Sequence, residues 1–460
     1  MTTLHRYRAR LGCLDLQTGA AVHGRDLAQA GVAAALRTGS AAAVFRWAEL
    51  SRAQALLLAP ARPPADPAAV AALERLRQVR LGARTAELAG RPSDRLRGTE
   101  ARLRQQVRQD TWTAGGRSQP EAAPVTALAA LGPLRSALGE AALLSYVRDG
   151  AALYALAVTR RSARVVPLGR YGRIEKTLLR LRASLDAQAG RILPPRLGAA
   201  VTAAADQDRA ELAAALLAPV RAVTGDRELV IVPTGLLVTV PWALVAEPGR
   251  PVTVAPSATF WLAARQQAGS PQAASQRPNS QRLDASATAV LAAGPGTQRG
   301  EAEIAQIARL RPGATVLAGD AASPAAVLAA MDGASLVHLA AHGTHQPDNA
   351  LFSALELAGG PVMGYDLQRL KAAPVLAVLS CCDLGLADVR PGDETLGMVS
   401  ALLHAGTATA VASVTQVADD TAMRVMTSLH AALRRGLSPA QALAEAGRDE
   451  PAGFVCFGAG

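Results

Sequence analysis

Two short stretches of the sequence hold residues that could do covalent chemistry. SLVHLAAHG ends on His342 and Gly343, and LAVLSCCDLG carries Cys381 and Cys382. A thiol attacks as its thiolate, and an imidazole beside it can take the proton and later return it to a leaving amine. Attack on a peptide carbonyl also creates an oxyanion, which a backbone N–H next to glycine can approach without side-chain obstruction. The amides of Gly343 and Cys382 are the candidate donors.

Each stretch begins as a short apolar run and delivers its reactive residues where that run ends. In open α/β sheets the carboxyl ends of the strands are where ligands bind, so adjacent parallel strands would bring His342 and the cysteines together. From residue 228 such runs recur as ELVIVP, VTVAPS, TAVLAAGPG, ATVLAG and ATAVASV, alternating with helical stretches. Runs apolar on both faces read as parallel strands covered by helices, so the expected fold class is α/β, a doubly wound, mostly parallel sheet flanked by helices. Ahead of it, ALLSYVRDGAALYALAVT from Ala142 reads as a hairpin turning at Asp149-Gly150, followed by helical patterns at 172–188 and 208–223. GSPQAASQRPNSQRLDAS at 269–286 reads as an exposed loop within the alternation.

The N-terminal part is helical. Two apolar-periodic stretches from residue 25 are divided at Gly39 and Ser40 and broken by the Pro-rich residues 59–67. This pair faintly resembles a tetratricopeptide unit, since small residues would let the helices approach closely, but no second copy follows at the expected period. Arg75, Arg77, Arg80, Arg84, Arg102, Arg104 and Arg108, mixed with Glu74, Glu87 and Glu100, read as a solvated helix face. We expect a helical region at 1–109, a linker at 110–125 where Gly, Ser and Pro accumulate, and one large domain at 126–460. That domain divides into a leading hairpin with helices, 126–225, and a catalytic core, 226–460.

The net charge of +11 invites an anionic partner, yet Lys176 and Lys371 are the only lysines and no basic run is interleaved with aromatics. Nucleic acid is therefore not expected as a partner. The four cysteines, Cys13, Cys381, Cys382 and Cys456, form neither a disulfide framework nor zinc knuckles, which fits a reducing, cytoplasmic setting. No signal peptide or apolar run of about 18 residues is present, so no membrane is expected. AAGPG at 292–296 and AGD at 318–320 supply no phosphate-loop pattern. Neither a metal nor another cofactor is expected.

VHLAAHG, LSCCDLG, GDETLGMVSALLHAGTATAVASV and the closing FVCFGAG, in that order, resemble a CHAT domain, of the caspase-like and separase-like cysteine peptidases. ELVIVPTGLLVTVPWALV, VTVAPSATFWL and the hairpin region from Tyr146 to Leu168 extend the resemblance over residues 126–460. It implies that His342 is the general base and Cys382 the nucleophile of a Cys-His dyad, with Cys381 as the intervening small residue. Here the family more often has Ala at 381 and Thr at 384, where this chain has Cys381 and Leu384, and SVTQV lacks the Trp usual after the family's Ser-Leu pair.

The implied activity is that of a caspase-like endopeptidase cleaving a specific protein partner, regulated and belonging to a bacterial defence or stress circuit, with the N-terminal helices docking a partner or regulator. The alternative is an inactive scaffold of the same fold. Asp383, Asp393 and Glu394 either receive a basic substrate side chain or form a solvated acidic loop. His338, inside its strand, reads as a hydrogen-bonded core histidine. His345, with Asp348 and Asn349, reads as cleft rim rather than a zinc site.

Overall fold

The computed structural model describes residues 2–8, 11, 14–52, 56, 67–117, 127–190, 193–268, 287–346, 350–381, 385, 388–390 and 394–460. Its strands are β1 (Ala142–Asp149), β2 (Ala152–Val158), β3 (Ala163–Arg170), β4 (Leu229–Val232), β5 (Val252–Val254), β6 (Ala289–Ala293), β7 (Thr315–Leu317) and β8 (Leu336–Ala340). They continue as β9 (Gly343–Thr344), β10 (Ala354–Leu357), β11 (Gly360–Met363), β12 (Leu376–Ser380), β13 (Asp388–Arg390), β14 (Glu394–Leu396), β15 (Thr409–Ser413) and β16 (Phe454–Gly458). Helices of eight residues or more are numbered along the chain. They are α1 (Arg25–Thr38), α2 (Ala41–Ser51), α3 (Pro67–Leu88), α4 (Asp94–Arg117), α5 (Leu131–Leu138), α6 (Tyr171–Gly190), α7 (Pro195–Leu216), α8 (Ala258–Ala268), α9 (Gly300–Leu310), α10 (Pro324–Met331), α11 (Met398–Ala405), α12 (Asp419–Arg434) and α13 (Pro439–Ala446).

Among the described residues eleven strands form one sheet, ordered β3-β2-β1-β4-β5-β16-β15-β12-β8-β6-β7. Its pairings are parallel except β1 with β2, β2 with β3, and β15 with β16. The central strands β6, β8, β12 and β15 are five-residue runs, buried throughout. Alternation sends Val290, Ala292, Val337, Leu339, Ala377 and Leu379 to one face, with Val327 and Met331 of α10 and Leu402 of α11. It sends Leu291, Leu336, Val378 and Val411 to the other, with Ile304 and Ile307 of α9 and Val425, Met426 and Leu429 of α12. Both faces are covered, which is why these strands show no polar alternation in sequence.

The chain passes from β6 outward to β7 and then returns to the other side of β6 as β8. Connections therefore leave in opposite directions from the carboxyl ends of β6 and β8, which opens a crevice between them. His342 follows the end of β8.

The hairpin turns at Gly150, whose φ of 57° lies in the left-handed region, and a third antiparallel strand, β3, extends it. At the N-terminus α1 ends at Gly39 and α2 starts at Ser40, whose Oγ accepts from Ala43 N at 3.3 Å. The two helices touch closely where Gly31 meets the Trp47 ring, since a Cβ there would come within 2.2 Å of it. A second pair, α3 and α4, follows. Helix α4 runs on through residues 110–117, where a linker was expected from the glycines; the remainder of that expected linker and the expected loop at 269–286 lie outside the described residues.

Both N-terminal pairs reach the sheet domain through buried polar groups. The Glu49 carboxylate of α2 accepts from Ala258 N (3.2 Å), Thr259 N (2.7 Å) and Thr259 Oγ1 (2.7 Å), capping α8 at the end where its orphan amides and dipole favour a negative charge. Arg52 donates to Ser145 Oγ at 2.9 Å on β1. Among the described residues no helix is long and apolar enough to cross a membrane.

Candidate active site

β8 and β12 are neighbouring parallel strands in register, with Ala340 opposite Ser380. The chain thus brings the residues after Ala340 and those after Ser380 to the same end of the sheet, as the apolar runs led us to expect. His342 is exposed there, and its Nε2 lies 2.9 Å from the carbonyl oxygen of Gly296, in the turn after β6. This contact spans the crevice between β6 and β8. Gly296 holds φ at 80°, a backbone conformation glycine tolerates without a Cβ penalty. A carbonyl only accepts, so the bond assigns the ring proton to Nε2 and leaves the Nδ1 lone pair for a proton from another group.

The main chain of His342 is fixed as well. Its carbonyl accepts from Glu356 N at 2.9 Å, and Gly343 pairs with Leu355 in the β9–β10 ladder. Amides alternate in direction along a strand, so a His342 carbonyl aimed at β10 turns the Gly343 N–H away from it.

Cys381 is buried in the core cluster and its Sγ donates to Leu339 O at 3.3 Å. Cys456 is fully buried on β16, and burial, with Glu228 nearby, pushes its thiol well above the ordinary range. Neither thiol is presented for attack. Cys382, Asp383 and Asp393 lie outside the described residues, and Glu394 opens β14. After that gap Gly385 is held by β15, donating to Ser413 O at 2.7 Å; a Cβ at Gly385 would meet Ser413 O at 2.8 Å. Only glycine fits this approach, so the chain at Gly385 itself lies close against β15.

Four residues before His342 on the same strand, His338 is sealed. Its Nε2 lies 2.8 Å from Glu303 Oε1 and its Nδ1 lies 3.1 Å from His430 Nε2, while Arg311 Nε donates to His430 Nδ1 at 3.2 Å. The expected core histidine is thus one link of a buried chain from arginine to carboxylate. His345 lies 3.3 Å from Ser353 Oγ through its Nδ1. Among the described residues no group of three or more His, Cys, Asp or Glu could hold a metal ion.

A small cavity of about 30 Å³ is lined by His342, Ser380, Cys381, Thr297, Glu303 and Asp419 among others. The Ser380 Oγ is buried and has no partner among the described residues. A larger groove of about 380 Å³, lined by Leu217, Arg221, Pro248 and Arg448 among others, contains neither His342 nor a cysteine. Chemistry rather than volume identifies the site.

The family model of the CHAT domain matches residues 207–450, more than half of the chain's 460 residues. The chain belongs to the CHAT domain family. None of the curated proteins matches it. Among solved structures, two of the Saccharomyces cerevisiae separase–securin complex resemble it, with TM-scores of 0.52 and 0.51. Each is 9% identical and covers 71% of this chain and 30% of that chain, so this chain spans less than a third of the length of its separase neighbour. The complex of Porphyromonas gingivalis RgpB pro- and mature domains matches more loosely, at a TM-score of 0.35 and 12% identity over 63% of this chain and 76% of that one.

The CHAT fold here is the caspase-like one, a large, mostly parallel sheet flanked by helices, as the strand pattern had implied. Two groups around His342 were not singled out in the sequence. The Gly296 carbonyl is a backbone atom, and its signal was the GPG turn after β6, which had been considered only as a phosphate loop. Glu356 lies in an apolar strand and acts on His342 through its main chain, so its residue type gave no sign of the contact.

Proposed function

We propose that this CHAT domain is a caspase-like cysteine endopeptidase in which Cys382 is the nucleophile and His342 the general base. The observation that carries the reading is His342, exposed at the end of β8 beside β12 and held through Nε2 by the Gly296 carbonyl. That tether supports Nδ1 as the proton acceptor. Cys381 is buried with its Sγ committed to Leu339 O, which leaves its neighbour in sequence as the proposed nucleophile.

In the proposed reaction Nδ1 takes the Cys382 proton and the thiolate adds to the carbonyl carbon, forming a C–S bond. The oxyanion is received by the N–H groups of Gly343 and Cys382. The imidazolium protonates the leaving nitrogen, the C–N bond breaks, and an acyl-enzyme remains. Water then attacks as His342 takes its proton, releasing the acid and restoring the thiol. Asp383, Asp393 and Glu394 are assigned to the reception of a basic substrate side chain. The substrate is a protein partner, and the family resemblance supports controlled cleavage in a bacterial defence or stress circuit in the cytoplasm.

An electrophilic peptide probe followed by mass spectrometry tests the reading alongside cleavage of a peptide library. Modification should fall on Cys382, and cleavage should vanish in Cys382→Ala and His342→Ala but persist in Cys381→Ala. Cleavage surviving in both dyad variants would overturn the assignment. A chain that neither cleaves nor takes up the probe would make the domain an interaction scaffold.

A further inference from the structure

Three arginines of α3 do not lie on the solvated face expected from the sequence, although Arg75 is exposed. Arg77, Arg80 and Arg84 recur at i, i+3 and i+7, so they share one side of the helix, and that side is docked on the strands that follow His342. Arg77 pairs with Asp366 and donates through Nε to Pro361 O at 3.2 Å. Arg80 donates to Phe352 O at 3.1 Å and pairs with Glu356 at 3.6 Å and with Glu100 of α4 at 3.7 Å. Arg84 pairs with Glu356 at 3.5 Å.

Glu356 is the point where these contacts meet the proposed active site. Its carboxylate is 11% exposed and lies between Arg80 and Arg84, and its amide donates to the His342 carbonyl. Its own carbonyl is packed against Gly294, where a Cβ would come within 2.2 Å of it. A Cβ placed on Gly296 would lie 3.7 Å from His342 Nε2 and 3.9 Å from an Arg84 nitrogen, so the guanidinium flanks the same turn that holds the ring. One residue of β10 thus touches the backbone of His342 and the loop whose carbonyl orients its imidazole.

We propose that Glu356, clamped by Arg80 and Arg84, is a positioning residue for His342, and that the α3–α4 pair is a working part of the peptidase rather than a detachable extension. The inference rests on His342 being the general base. A carboxylate this deep needs its counter-charges. Without them Glu356 must turn towards water, and that movement pulls on β10 and on the hydrogen bond that sets the His342 main chain. The ring then swings off the Gly296 carbonyl, and small misplacements of a reacting group cost rate steeply.

The test uses the full-length chain and the variants Arg84→Ala, Arg84→Lys, Glu356→Gln and the double variant Arg84→Ala/Glu356→Gln, with Arg102→Ala on the exposed side of α4 as control. We expect Arg84→Ala and Glu356→Gln each to lower kcat by about 10- to 100-fold with little change in KM, the double variant to fall no further than the worse single one, and Arg84→Lys to recover most of the rate. Independently of any activity, ring-nitrogen NMR of His342 should report the Nε2-protonated form with slow exchange in the wild type. Both single variants should lose it while remaining folded.

Wild-type kcat and an unchanged ring signal in Arg84→Ala and Glu356→Gln would overturn the positioning role. So would equal loss of activity and folded protein with the ring signal intact in what remains folded. A chain that cleaves nothing, yet loses the ring signal in both variants, would sink the peptidase reading while leaving the coupling of Glu356 to His342 in place. Arg84 is a third exposed, so its replacement by alanine is the variant least able to unfold the protein.

Discussion

His338 and His342 stand four residues apart on the same segment of chain and have opposite surroundings. His338 has no exposure and sits inside a chain of partners in which Arg311 donates to His430, His430 to His338 and His338 to Glu303. The guanidinium donor at one end and the carboxylate acceptor at the other set the direction of the hydrogen bonds along the chain. His342 is exposed, with its ring on one backbone carbonyl. Between them the strand runs from the closed interior to its open end. The sealed histidine has every nitrogen committed and can only stabilise, whereas the exposed one keeps a nitrogen for chemistry.

The largest expected effect separates the two. Glu303→Ala removes the carboxylate that ends the buried chain, leaving an N–H of His338 without its acceptor. Breaking such a buried network costs about 3–5 kcal/mol. His342→Ala, at an exposed site, should change stability by less than about 0.5 kcal/mol while abolishing cleavage. Urea unfolding midpoints of the two variants check this, and a large stability loss at His342 would erase the contrast.

Acid should act on the sealed region next. Burial holds His430 well below the ordinary histidine value, with His338 and Arg311 adding to the shift, and burial lowers His404 of α11 from 6.5 to about 4. Between pH 6.5 and 4 the unfolded chain carries more protons at these positions than the folded one, so stability is complete above that window and falls as pH drops through it. For His404 alone the loss is about 3 kcal/mol by pH 4. Denaturant midpoints at pH 7.5 and 4.5 should show the fall, reduced in His404→Leu. A profile no flatter in that variant would count against the assignment.

How far the sequence discloses this contrast depends on the kind of signal. The runs around Leu336–Ala340 and Leu376–Ser380 are apolar on both faces, and that pattern has few solutions other than parallel strands under helices, so the meeting of their ends was readable. The burial of His338 followed from its place inside such a run. The arginine face of α3 was misread because arginine spaced along a helix looks the same whether it meets water or a docked carboxylate; the partner Glu356 lies 272 residues or more away in sequence, as does its contact to Arg84. Helix α4 runs past Gly115 and Gly116 to Arg117, where those glycines read as a linker because glycine is a poor helix former. The Gly296 carbonyl has no side-chain signature at all.

The smallest predicted effect tests whether the open histidine depends on that carbonyl. Gly296 and Gly333 hold nearly the same left-handed φ, 80° and 86°. A Cβ at Gly333 would meet nothing within 4 Å, and one at Gly296 would make only ordinary contacts of 3.7–3.9 Å with His342 and Arg84. Gly296→Ala and Gly333→Ala should therefore cost similar backbone strain, about 1–2 kcal/mol each. Only the first moves the acceptor of His342 Nε2, so kcat should fall in Gly296→Ala and stay at the wild-type level in Gly333→Ala despite matched losses in unfolding midpoint. Equal kcat in the two variants would mean that the ring keeps its working orientation without the Gly296 tether, and the division of labour between its two nitrogens would have to come from groups beyond β6.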